Sequence, residues 1–122
     1  MGQIPNREKA YVPAGKLREY LLSDTHTIGK AKAKFFRALG FNENNLGLLE
    51  LGLIAIARRK SVKETVRTPF GIKYIVEGVM STPVGTSAKV RTIWIVESND
   101  KRPRFVTAYP VRTSATYERS TE

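Results

Sequence analysis

IKYIVEGVMSTPVGTSAKVRTIWIVESNDKRPRFVTAYPV, residues 72–111, decides the fold. Three runs in it are rich in β-branched and aromatic residues: Ile72–Ser81, Thr86–Glu97 and Arg104–Val111. Such residues suit a pleated, half-buried surface. The runs are separated by TPVGT and SNDKRP, whose Pro, Gly, Asn and Asp favour turns. Connections this short join antiparallel neighbours, because a parallel crossover needs a dozen or more residues. The spacing therefore predicts an antiparallel meander. A weaker run, SVKETVRT (61–68), precedes it across PFG and reads as an edge strand, giving three to four strands.

Upstream of Ser61 the apolar period changes from two to that of a helix. In His26–Leu39, HTIGKAKAKFFRAL, the residues Ile28, Ala31, Phe35, Phe36 and Leu39 share one face at 100° per residue. Ser23, Asp24 and Thr25 offer N-caps for this helix, and Gly40 stands where a left-handed residue ends one, with Phe41 placed for the contact beyond it. A shorter helix, Ala14–Leu22, comes before, with Leu17, Leu21 and Tyr20 inward. A third runs from Glu43 to Arg59, capped by Asn42. Leu46, Leu49, Leu53 and Ile56 form its stripe, and Leu48, Leu51, Ile54 and Ala55 widen it, which predicts the most buried helix. Residues 1–13 read as an extended lead-in whose Ile4, Tyr11 and Val12 pack on the body. Helices first and strands after is the α+β class: three N-terminal helices packed on one face of a three- to four-stranded antiparallel meander. Residues 1–112 form one domain by size, and 113–122, without a hydrophobic pattern, form a flexible tail.

Charge is the strongest compositional signal. The chain has 122 residues, 21 Lys+Arg, 11 Asp+Glu and a net charge of +10. Residues 1–60 hold 11 bases and 5 acids, and residues 61–112 hold 9 and 4, so the excess belongs to the folded body. A polyanionic partner follows, RNA before DNA or an acidic protein. There is no Cys and a single His, no HExxH or DxD spacing and no GxxxxGK[ST] loop. Metal, thiol and P-loop chemistry are not expected, nor is a cofactor. No run of 18 apolar residues and no apolar leader occurs, which predicts a cytoplasmic protein with no membrane partner.

Within that frame a few residues stand out. Lys32 falls in the middle of the apolar stripe of its helix, while Lys30, Lys34, Arg37 and His26 lie opposite. A charge there either snorkels at the helix edge or points into a cleft. Arg91 lies mid-strand with Ile93 and Ile95 on its face; Thr92, Trp94 and Val96 point the other way. Strict alternation puts Phe105, Thr107 and Tyr109 on one face. Two readings fit these polar residues. In one, Arg91 pairs with Glu77 and the hydroxyls are ordinary strand surface. In the other, they form a site in which an arginine fork grips a phosphate and the hydroxyls bond its oxygens or a ribose. His26, with an ordinary pKa of about 6.5, fits an acid or a base, or an exposed first-turn residue. What the composition permits is metal-independent RNA cleavage: a base at the 2′-OH, cations at the phosphorane and an acid at the leaving 5′-oxygen.

The motifs HxxGKxKAxxF (His26, Gly29, Lys30, Lys32, Ala33, Phe36), RTxWIV (Arg91–Val96) and PRFVTxYP (Pro103–Pro110) resemble a family of small uncharacterised bacterial domains, found alone and near toxin C-termini. The resemblance covers residues 4–111. More distantly, the chain resembles the Barnase–EndoU–colicin–RelE-like ribonuclease superfold. That likeness implies RNA cut without metal by basic and hydroxyl residues on a four-stranded sheet and an adjacent helix. It implies catalytic roles for His26, Lys32, Arg91, Thr107 and Tyr109. Lys30, Lys34, Arg37, Lys89 and Arg104 would bind nucleic acid. An acidic immunity or antitoxin protein is the implied protein partner. The alternative is a non-catalytic nucleic-acid or partner-binding module of the same fold, of phage or mobile-element origin.

Overall fold

The computed structural model describes residues 2–22 and 27–111, with residues 20–22 and 27–31 described by their backbone alone. Its elements are α1 (Lys16–Leu22), α2 (Thr27–Ala38), α3 (Leu46–Arg59), β1 (Glu64–Thr68), β2 (Gly71–Ser81), β3 (Ser87–Glu97) and β4 (Asp100–Pro110). The strands form one antiparallel sheet in the order β1-β2-β3-β4, the expected meander. α3 lies on β2 and β3, and α2 packs beside α1 and against β4.

One face of the sheet meets the helices. Val76 and Met80 of β2, Val90 and Trp94 of β3, and Phe105 and Ala108 of β4 are buried there against Phe36, Phe41, Leu49, Leu53 and Ile56. The Trp94 and Phe105 rings meet edge-to-face with centroids 5.4 Å apart. The indole Nε1 donates to Thr92 Oγ1 at 2.8 Å, and that hydroxyl donates to the Val76 carbonyl at 2.7 Å, so a buried donor and a buried hydroxyl are both satisfied.

Helix ends follow local chemistry. Gly40 takes φ 99°, and Phe41 N–H returns to the Phe36 carbonyl at 3.1 Å, the 6→1 bond of a left-handed C-terminus. Phe41 is buried against Phe36, as expected. The expected caps Ser23, Asp24 and Thr25, and the tail 113–122, lie outside the described residues.

Several expectations change. α3 starts at Leu46, not Glu43, because Asn42 and Asn45 build a turn first. Asn42 N–H donates to Asn45 Oδ1 at 2.7 Å, Asn44 N–H to Asn42 Oδ1 at 2.8 Å, and Asn45 Nδ2 to the Gly40 carbonyl at 2.9 Å. Asn side chains that bond nearby backbone compete with helix in this way. Leu48 and Leu51, expected to widen the buried stripe, are exposed. β1 pairs with β2 only from Thr68↔Gly71 to Glu64↔Ile75. β4 begins at Asp100 rather than Arg104: only Ser98 and Asn99 separate the Glu97↔Asp100 pair, and DKRP belongs to the ladder. The N-terminal lead-in contains a short 3₁₀ turn, Arg7–Lys9, and then bridges Tyr11 to Arg104 along the outer side of β4. The last change bears on function. Phe105 does not share a face with Thr107 and Tyr109, because the register shifts between the Ile93↔Thr107 and Trp94↔Phe105 pairs and leaves Val106 as the extra residue of a bulge.

Candidate functional site

That bulge sets the site. Beyond it, Ala108 pairs with Thr92 on the core face, so Thr107 and Tyr109 turn to the opposite face. Tyr109 then pairs with Arg91, and Thr107 with Ile93. Arg91 in turn pairs with Glu77 of β2. Directly opposed residues lie about 4.5–5.5 Å apart, so Glu77, Arg91 and Tyr109 form one polar row across three strands.

Lys32 joins the row from α2. Its Nζ donates to Thr107 Oγ1 at 2.8 Å and lies 5.7 Å from the centre of the Tyr109 ring. It is half-buried. Its ammonium is directed at β4 rather than at bulk solvent. Phe36, one turn on, fills the core, and the intrusion of Lys32 into that stripe is how α2 presents a cation to the end of β4. Burial, and then the neighbouring charge of Lys16, hold the Lys32 ammonium below its ordinary pKa of 10.5.

Arg91 is held by Glu77. Its Nε donates to Glu77 Oε2 at 2.7 Å and its Nη2 lies 2.6 Å from the same oxygen. That carboxylate pushes the guanidinium pKa above its ordinary value; burial opposes the shift, and a hydrogen bond with Tyr109 adds to it. Lys63 lies 3.8 Å from the other carboxylate oxygen of Glu77. Arg91 and Lys63 thus flank the Glu77 carboxylate, and Lys32 stands at the β4 end of the row.

The structure thus brings Lys32, Arg91, Thr107 and Tyr109 together. Lys89 is exposed two residues from Arg91 on the same strand face. Others stand apart. Lys34 and Arg37 point about 160° and 140° round α2 from Lys32 at 100° per residue, and Arg37 is paired with Glu43. Arg104 pairs with Glu97 at 3.3 Å, five residues and roughly 16 Å along β4 from Tyr109. His26 and the Lys30 side chain lie outside the described residues. Sequence reasoning treated Glu77 only as a possible partner of Arg91. Its share in the row was signalled by parity alone, since Glu77 is the one acid within the β2 run.

Comparison with known proteins adds fold and family. The profile described as domain of unknown function (DUF6883) matches residues 3–112, so the chain belongs to that family. No curated protein matches the sequence. A chain of the contact-dependent growth inhibition toxin–immunity protein complex from Klebsiella pneumoniae 342 has the same fold, with a TM-score of 0.68 over 88% of this chain and 98% of that one, at 16% identity. At that identity the likeness is one of fold.

Proposed function

We propose that this member of the DUF6883 family is a toxin-like, metal-independent ribonuclease domain acting on RNA. The observation that carries the reading is the row Glu77–Arg91–Tyr109 with Lys32 and Thr107 at its end. The fold shared with a chain of a toxin–immunity protein complex and the net charge of +10 support it. In the proposed reaction the 2′-oxygen attacks phosphorus and the P–O5′ bond breaks, leaving a 2′,3′-cyclic phosphate. The 2′-OH proton passes to a base, for which His26 is the candidate. Tyr109 gives a proton to the departing 5′-oxygen, and Arg91 and Lys32 hold the phosphoryl oxygens. Thr107 accepts the Lys32 hydrogen bond and orients the ammonium. An acidic immunity or antitoxin protein is the protein partner that this reading expects.

The test is incubation of the pure chain with tRNA and total RNA in EDTA. Cleavage with cyclic-phosphate ends is expected. Tyr109→Phe and Arg91→Lys should each lower the rate by about 10²–10³, the usual loss for one transition-state contact. Arg91→Lys is chosen because it leaves Glu77 a cation while removing the fork. One observation favours a second reading, a non-catalytic binding module: the Arg91 fork is already engaged by Glu77, with Nε and Nη2 both on one carboxylate oxygen. RNA that is bound but left intact would establish that reading instead.

A further inference from the structure

α3 has two apolar faces, and the fold uses one. Leu49, Leu53 and Ile56 are buried on the sheet. Leu48, Leu51, Ala55 and Arg59 form a second stripe at i, i+3, i+7 and i+11. Leu48 is 55% exposed and Leu51 66%. Across from them the groove is lined by Met80 of β2. Between the helix and the end of β2 runs an open groove of about 620 Å³, whose wall is completed by Pro83. β2 has β3 on one side only from Val76 to Ser81, since β1 pairing ends at Ile75. Single exposed leucines are ordinary; a contiguous patch beside a half-open strand is not.

Charge identifies the occupant. Arg58 and Arg59 close one end of the groove, and neither makes an ion pair among the described residues. Arg58 Nη2 donates only to a neutral group, the Glu8 carbonyl, at 2.9 Å. Glu50 is exposed near the other end of the stripe. A second copy of this chain is disfavoured, because each copy carries +10. We infer that this groove docks an acidic protein partner, which lays an amphipathic segment between α3 and β2 with its apolar side chains against Leu48 and Leu51 and its carboxylates at Arg58 and Arg59.

The surface is separate from the polar row, and the inference holds whether or not that row is catalytic. The test pans a display library of random 16-residue peptides on the full chain. Enriched peptides should combine spaced apolar residues with Asp or Glu near one end. Leu51→Glu should weaken the best of them by about 30-fold, as for an anchor residue. Arg58→Glu with Arg59→Glu should weaken it by about tenfold and remove its salt dependence. Because Leu51 is exposed, Leu51→Glu should melt like the parent, and cleavage or binding of RNA by this variant should be unchanged. No enrichment, enrichment of basic or uncharged peptides, or binding indifferent to Leu51→Glu would overturn the inference. So would a dimer in sedimentation at about 100 μM, if Leu51→Glu dissolved it.

Discussion

Lys32 is a cation that the fold places at a cost. Its stem shares a stripe with Phe36, and its ammonium meets Thr107 and Tyr109. Lys32→Met keeps the stem and removes the charge. It should stay folded within about 1.5 kcal/mol of the parent, by the tolerance for volume-conserving exchanges, and should lose RNA cleavage. The pH dependence gives a second check. The folded pKa lies below the unfolded one, so between the two the unfolded chain binds more protons and stability rises with pH. The melting temperature of the parent should therefore rise relative to Lys32→Met as pH is taken upward toward 10.5. A difference that stayed flat, or moved against the parent, would show that the ammonium is not desolvated.

At the scale of elements the β4 bulge matters most. It lets one strand present Phe105 to the core and Thr107 with Tyr109 to the other face. Deleting Val106 removes the extra residue, and strict alternation then puts Phe105 and Ala108 on the core face and Thr107 and Tyr109 on the other, their present places. The variant should therefore fold and keep the emission of the buried Trp94. A red-shifted Trp94 emission would mean that the deletion moves Phe105 out of the core. A second point of tight fit is Gly71, where φ is 150° and an added Cβ would lie 2.4 Å from the Val96 carbonyl oxygen. Gly71→Ala should destabilise by about 1–3 kcal/mol, the range for overpacking, measured by urea titration.

For the whole molecule the governing quantity is charge. The excess is spread over helices and strands, so binding to a polyanion should be broad and salt-dependent. If about 4 phosphates are neutralised on a single strand, log K should fall against log[salt] with a slope of roughly −3. Fluorescence titration of a labelled oligonucleotide between low and moderate KCl measures it. Absence of binding at low salt would leave the acidic protein as the polyanion that the charge serves.

The residue pattern alone determined the helices-then-meander order, the C-terminus of α2 at Gly40, and the anomaly of Lys32. Each rests on a local rule: a period of two or 3.6, a residue tolerant of positive φ, a charge in an apolar stripe. The same rules could not decide three things. Strict alternation misplaced Phe105, because a bulge is a pairing between strands and leaves no local mark at Val106. The site residues meet only through the register of β2, β3 and β4 and the packing of α2 on β4, none of which local spacing encodes. And the broad apolar surface of α3 looked uniformly buried, since hydropathy records what a side chain prefers and not whether a neighbour exists to cover it. Leu48 and Leu51 stand about 100° and 160° round α3 from the buried Leu49, and only the assembled fold shows that no described element covers that side.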